Sequence, residues 1–121
     1  MSGERRRLGA AGEQLAAEWL EGLGYRILAR NYRCALGEVD LVVADGAELV
    51  FVEVRTRRVG GMVAPAESVT QRKQQRLVRA AEHYLQTVHG SECPWRVDVI
   101  ALEMDSAGRL RHLEHLRGVV E

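Results

Sequence analysis

The sequence predicts an α/β protein whose elements follow the order helix, three strands, helix, two strands (αβββαββ). Two observations carry this prediction. Apolar residues recur at steps of three and four in two long segments, and short runs rich in valine and leucine lie outside them. In the central runs apolar residues occupy both alternating positions, which is typical of strands covered on both faces. A chain of 121 residues is expected to form one domain, residues 1–121.

The boundaries of the helices follow from the glycine and proline residues that flank them. The first helix is predicted to end at Gly22 and Gly24, since glycine readily adopts the left-handed stop conformation. The second helix follows Pro65 and ends before Gly90. The predicted helices span residues 4–23 and 66–88, and the predicted strands span residues 25–32, 38–44, 49–55, 95–102 and 110–116, the last at a sheet edge.

The composition limits the classes of function. With 17 basic and 17 acidic residues the net charge is zero, which gives no support to a protein that merely coats nucleic acid, although a local basic groove is compatible with it. Cys34 and Cys93 are far apart and lack metal-type spacing, so two reduced thiols are expected. No apolar run approaches the roughly 18 residues of a membrane span. We therefore expect a cytoplasmic protein with no membrane partner.

The Asp-Gly pair at residues 45 and 46 predicts a β-hairpin that brings Asp40 and Glu53 together. A two-residue loop would set Asp40 opposite Phe51, with Glu53 as its diagonal neighbour on the same face. A four-residue loop would set Asp40 directly opposite Glu53. A three-residue loop would separate the two carboxylates onto opposite faces. The length of this loop therefore decides whether the two side chains can act together.

Two carboxylates on one covered face are unfavourable, because like charges repel and burial disfavours ionisation. A divalent cation removes both costs, and hard oxygen ligands favour Mg²⁺ or Mn²⁺ over zinc. Asp40 and Glu53 are thus predicted metal ligands. The competing interpretation is that both residues flank strand ends and are solvated, and for an isolated pair that interpretation is the stronger one.

Two helical residues favour a shared site. Glu13 lies within the apolar stripe of the first helix, and Lys73 lies near the middle of the stripe on the second helix. A lysine can extend out of such a stripe, so Lys73 alone is equally well explained as a surface residue. Arg55 follows Glu53 by two positions and is expected on the same face, where its guanidinium would suit a phosphate.

The motifs resemble those of a known group of proteins. The chain reads GEVDL over residues 37–41 and FVEVR over residues 51–55, similar to the Asp…Glu-x-Lys core of the restriction-endonuclease-like superfamily. Within it the sequence resembles the YraN-type bacterial family and, more distantly, archaeal Holliday junction resolvases. The YraN-type likeness spans most of the chain and includes Gly12-Glu13, Gly24-Tyr25, Arg30-Asn31, Pro65 with Glu67, Lys73, Arg76-Leu77 and Tyr84-Leu85.

The resemblance implies a restriction-endonuclease-like core, a mixed central sheet of about five strands flanked by helices. It also implies that Glu13 matches the glutamate of helix one, Asp40 the metal-bridging aspartate and Glu53 the second metal ligand. Arg55 stands where the superfamily has its catalytic lysine. Arginine stays protonated and is poorer at holding and activating water. Either Lys73 supplies that role from the helix, or the site is slow or inactive.

The leading functional hypothesis is a divalent-metal-dependent endonuclease acting on DNA phosphodiesters. A structure-specific enzyme that cuts branched DNA is one form of this hypothesis. Its catalytic residues would be Glu13, Asp40, Glu53, Arg55 and Lys73. Gln71 and Arg76 would bind substrate, and cutting both strands would favour a homodimer. The rival hypothesis is a nucleic-acid-binding or interaction module that keeps the scaffold without its reaction, and the arginine at position 55 favours it.

Overall fold

The computed structural model describes residues 2–59, 71–90 and 92–120. Five strands form one sheet in the order β1-β2-β3-β4-β5, in which β3 and β4 run parallel and the other neighbours run antiparallel. The prediction of a mixed five-stranded α/β core in the order αβββαββ is confirmed. The elements are α1 (Ser2–Gly22), β1 (Arg26–Cys34), β2 (Gly37–Asp45), β3 (Glu48–Arg58), α2 (Gln71–Tyr84) with a π-helical turn (Leu85–His89), β4 (Trp95–Met104) and β5 (Leu110–Val120).

The predicted boundaries agree with these elements to within a few residues. Gly24 follows α1 with a φ of 90°, a left-handed conformation that glycine adopts without strain. The strands β3 and β5 continue three and four residues beyond their predicted ends, to Arg58 and Val120. Of the second predicted helix, residues 66–70 lie outside the described part of the chain. Helical structure continues through the π turn to His89.

The two helices cover opposite faces of the sheet. On one face α1 buries Ala16, Ala17 and Leu20 against alternating residues of β2, β3 and β4. On the other face α2 buries Leu77, Ala80 and Tyr84 against the intervening residues of β2 and β3. The apolar character of both strand faces, seen in the sequence, is therefore explained by two separate cores. At about 25 cal/mol per Å² of apolar surface, this double burial is the main stabilising contribution to the fold.

Aromatic contacts fix α2 over the sheet. The Tyr84 ring packs edge-to-face on Phe51 of β3 and on Tyr32 of β1, with centroid distances of 5.8 and 5.1 Å. Such edge-to-face pairs are worth about 0.5–1.5 kcal/mol each beyond their burial. Gly37, the first residue of β2, lies against the α2 backbone. A Cβ added at this position would sit 2.2 Å from the carbonyl oxygen of Arg76. The aromatic contacts hold the end of α2 over β1 and β3, and the Gly37 contact holds its second turn beside the start of β2.

The hairpin between β2 and β3 adopts the register of the four-residue alternative. Ala44 pairs with Leu49 and Leu41 with Val52. Asp45 also pairs with Glu48, so only two residues lie between the paired positions of the turn. In this register Asp40 is the next position opposite Glu53. The arrangement that would have placed the two carboxylates on opposite faces is therefore wrong.

None of the helices within the described ranges is both long enough and apolar enough to cross a membrane.

Candidate functional site

Asp40 lies at a fork where β2 separates from β3. The last paired residues of the two strands on this side are Leu41 and Val52. Beyond them the Val54 backbone N–H donates to Oδ2 of Asp40 at 2.7 Å, so the carboxylate takes the place of the missing strand partner. A strand N–H left without an acceptor at such a position would be costly. The fork therefore fixes one oxygen of Asp40.

Glu53 shares the fork with Asp40. Its side chain is only 15% exposed, and its carboxyl group hydrogen-bonds that of Asp40. Burial, followed by the Asp40 charge, raises the pKa of Glu53 to about 7. Burial also raises the pKa of Asp40, while the Val54 N–H opposes the rise. The two groups therefore share one proton near neutral pH, and the arrangement favours any cation that replaces it.

Arg55 is the positive partner of Glu53. Its Nη2 lies 2.8 Å from Oε1 of Glu53, and the side chain is 22% exposed. The Nε of Arg55 is buried and has no acceptor among the described residues. The placement of Arg55 on the Glu53 face agrees with the sequence prediction. The Nη2 group of Arg55 donates to Glu53, and Nε remains as a donor for another acceptor.

Glu13 reaches the same fork from α1. Its Oε2 accepts a bond of 3.4 Å from Nδ2 of Asn31, and the side chain is partly buried. Burial and then the Asp40 charge raise the pKa of Glu13, so the two carboxylates are within electrostatic reach of each other. Gly12 makes this approach possible, because a Cβ there would lie 2.0 Å from Oγ1 of Thr56 in β3. The helix can lie this close to the sheet only with glycine at that position.

On the α2 side the fork opens into a cavity of about 150 Å³, lined by Glu38, Glu53, Arg55, Lys73, Arg76 and Leu77. Lys73 belongs to this lining, but it is exposed and not part of a buried stripe as the helical pattern predicted. The buried residues of α2 begin at Leu77. Lys73 is therefore an exposed residue of the cavity lining.

The two predicted substrate-binding residues, Gln71 and Arg76, lie in different hollows of the surface. Arg76 lines the cavity beside Glu53. Gln71 lines a separate hollow along the exposed side of α2, with Val78 and Glu82 among its neighbours. The structure therefore brings Arg76 to the carboxylates and does not bring Gln71 there.

Glu38 is a site residue that sequence reasoning missed. It lines the cavity, and its charge raises the pKa of Glu13, Asp40 and Glu53. Its Oε2 also lies 3.3 Å from Nε of Arg33 on β1, with both side chains largely exposed. The available signal was its position two residues before Asp40 on the same strand. Glu38 adds negative charge at the entrance to the fork.

The donor chemistry of the fork fits a hard divalent cation. Within residues 2–59, 71–90 and 92–120, no three histidine, cysteine or acidic side chains converge closely enough to hold a metal ion by themselves. Asp40 and Glu53 remain as a pair of carboxylates, and the Asp40 charge contributes to the raised pKa of Glu53. Mg²⁺ and Mn²⁺ are commonly bound by one or two carboxylates together with waters and substrate phosphates. A closed zinc site would need four protein ligands.

Comparison with known proteins places these residues in a recognised sequence family. A family model described as "Uncharacterised protein family UPF0102" matches residues 12–102. A UPF0102 protein of Symbiobacterium thermophilum is 52% identical over 106 residues, which cover 88% of this chain and 90% of that protein. A UPF0102 protein of Moorella thermoacetica is 48% identical over 120 residues, 98% of each chain. One of Roseiflexus castenholzii is 44% identical over 123 residues, 100% of this chain and 98% of that protein. The chain belongs to the UPF0102 family, the YraN-type family that its motifs resemble.

Proposed function

We propose that this protein is a divalent-metal-dependent endonuclease that hydrolyses nucleic-acid phosphodiesters, with DNA as its main substrate. One observation carries the proposal. Two carboxyl groups from neighbouring strands, Asp40 and Glu53, share a fork in the sheet where one strand N–H already holds Asp40 in place. A polar cluster of this kind contributes little to packing, so its presence in a partly buried fork favours a chemical role.

Asp40 and Glu53 would hold Mg²⁺ or Mn²⁺, and Glu13 would add negative charge from α1. Such a cation, when bound, supplies water activation and neutralises charge on the phosphate. The chain itself contributes the orientation of both carboxylates, because Asp40 is fixed by the Val54 N–H at 2.7 Å. Fixed oxygen donors lose little freedom on binding, which is the general requirement for a preorganised site.

The basic residues of the cavity would act on the substrate. Arg55 keeps a buried Nε donor beside the carboxylates and would stabilise the charge that develops on the phosphate. Lys73 presents an amine at the cavity rim and would hold the attacking water or protonate the leaving oxygen. Arg76 would bind a neighbouring phosphate. The similarity of the motifs to those of Holliday junction resolvases makes branched DNA the first substrate to test.

A second candidate function is a nucleic-acid-binding module without catalysis. The arginine at position 55 favours it, because an arginine cannot accept a proton and here already pairs with Glu53 at 2.8 Å. The scaffold alone does not decide between the two functions.

The test is a cleavage panel of linear duplex, single-stranded, flapped and four-way DNA with Mg²⁺ or Mn²⁺. We expect the wild-type protein to cut at least one substrate and Glu53→Gln to lose about a hundredfold or more of that rate. The Arg55→Lys variant separates the two candidates. An inert wild-type protein with an active Arg55→Lys variant would establish the binding module and refute the nuclease.

A further inference from the structure

The helix α2 carries an excess of positive charge. The whole protein has no net charge, yet α2 carries four basic residues and a single acidic one, Glu82. Three of the basic residues, Arg72, Arg76 and Arg79, follow the spacing i, i+4, i+7. This spacing places them in one row along the helix. We call Arg72, Arg76 and Arg79 the arginine stripe.

The arginine stripe lies on the surface without neutralising ion pairs among the described residues. All three side chains are exposed, and in the described part of the chain none of them has an acidic partner. Arg55 and Arg96, in contrast, form ion pairs with Glu53 and Asp98. Three arginines in one row repel one another, which is unfavourable for the isolated protein. An anionic partner would remove that repulsion.

The middle residue of the arginine stripe lies at the candidate site. Arg76 lines the cavity with Glu53, and its carbonyl group touches Gly37 at the start of β2. One turn beyond Arg79 the same row reaches His83, which hydrogen-bonds Tyr32 of β1. The row therefore follows the side of α2 that lies next to β1, with the carboxylate fork near its first half.

We propose that the arginine stripe binds the phosphate backbone of a nucleic-acid strand and directs it into the carboxylate fork. This inference rests on the proposed function. From Arg72 to Arg79 the row covers seven residue steps, about 10 Å at 1.5 Å per residue. One strand of duplex DNA carries a charge about every 3.4 Å of axis, and because the strand winds around this axis its successive phosphates lie farther apart than this rise. The row can therefore face about two or three successive phosphates.

The experiment measures binding without cleavage. A fluorescent DNA duplex is titrated with the protein in EDTA at several salt concentrations, and anisotropy gives Kd. We expect the double variant Arg72→Gln/Arg79→Gln to bind about tenfold more weakly, with the salt slope reduced by about 2, because two phosphate contacts are lost. Arg76 stays unchanged, since it also lines the cavity.

A matched control removes the same charge from the far edge of the sheet. Arg111 and Arg117 of β5 are exposed, and within the described ranges neither has an ion pair. The variant Arg111→Gln/Arg117→Gln is expected to bind like the wild-type protein. Equal losses of affinity in both double variants would mean that DNA is attracted by the overall charge of the protein, which would refute the proposal. Unchanged binding in the stripe variant would refute it as well. Thermal unfolding of each variant confirms that it is folded.

The binding experiment and the cleavage test of the proposed function can fail independently of each other. Binding in EDTA requires neither metal nor catalysis, so a protein that never cleaves DNA can still show the loss in the stripe variant. Conversely, a protein that cleaves DNA and loses activity in Glu53→Gln, but binds normally without Arg72 and Arg79, would retain the nuclease and refute the stripe.

Discussion

At the scale of single residues, burial and the neighbouring Asp40 charge raise the pKa of Glu53 to about 7, compared with 4.5 for an ordinary glutamate. Between these two pH values the folded protein holds a proton that the unfolded chain has released. The free energy of unfolding therefore falls as pH rises through this window, by up to about 1.4 kcal/mol per pH unit for one proton. Stability is fully present below the lower value and is lost as Glu53 ionises in the folded state.

The Glu53→Gln variant should remove this dependence. We expect it to be about 1–2 kcal/mol more stable than the wild-type protein at pH 8 and to show no such advantage at pH 4.5, because glutamine keeps the neutral form. Urea unfolding across the pH range measures the difference. Glu114→Gln, an exposed position on β5, is the control and should leave the pH profile unchanged. Parallel profiles for Glu53→Gln and wild type would contradict the pKa assigned to Glu53.

Several residues of the candidate site could be predicted from the sequence. Alternation along two strands put Asp40 and Glu53 within reach for two of the three loop lengths, and the same alternation put Arg55 on the face of Glu53. The ion pair between Arg55 and Glu53 could not be predicted, since it depends on side-chain conformation. The exposure of Lys73 was also missed, because helical periodicity does not tell where the underlying sheet ends.

At the scale of elements, close approach of α1 to β3 depends on Gly12. A Cβ at that position would clash with the Thr56 side chain, whereas a Cβ at Gly9, one turn earlier, would meet nothing within 4 Å. These two glycines of the same helix form a matched pair. Alanine at either site would gain about 1 kcal/mol of helix propensity, so any difference between the variants reports packing against the sheet.

We expect Gly12→Ala to be destabilised by about 1–3 kcal/mol, since overpacking outweighs the gain in helix propensity. Gly9→Ala should be stabilised by up to about 1 kcal/mol. Urea unfolding of both variants gives the two values. A stable Gly12→Ala would mean that α1 does not lie against Thr56 as described, and Glu13 would then lack its route to the fork.

Element types were predictable because each helix and strand has a regular apolar pattern, whereas their ends depend on local backbone. The π-helical turn after Tyr84 leaves no mark in the pattern of residues 85–89. Asn31 lies within β1 and has a φ of 51°, a left-handed conformation that asparagine tolerates better than most residues. Neither feature changes the alternation of apolar residues from which the elements were predicted.

At the scale of the whole molecule, a buried polar network joins elements that are distant in sequence. Asp98 of β4 is fully buried and accepts bonds from Arg96, from His115 and from the Gly118 backbone. Nδ1 of His115 in turn accepts a bond of 3.1 Å from Trp19 of α1. The sequence showed a carboxylate at the strand position of Ile100 and Leu102, but pairing across three elements could not be read from it. This network steadies the α1 face and is separate from the fork.

Charge is also organised at this scale. A net charge of zero conceals carboxylates gathered at the fork and exposed arginines gathered on α2. Composition excluded a uniformly basic protein and said nothing about this separation, which depends on how the elements pack. The resulting opposition of an acidic centre and a basic approach is the arrangement that a metal-dependent enzyme acting on polyanions requires.

The central claim is that Asp40 and Glu53 together bind a divalent cation, and calorimetric titration with Mn²⁺ tests it most directly. For the wild-type protein at pH 6.5 we predict one ion bound per chain with release of up to one proton, since the shared proton of the pair must leave. Asp40→Asn and Glu53→Gln should each lose this binding while remaining folded, and Glu114→Gln should keep it. A wild-type protein that binds no Mn²⁺, or variants that bind it as tightly as the wild type, would contradict the account.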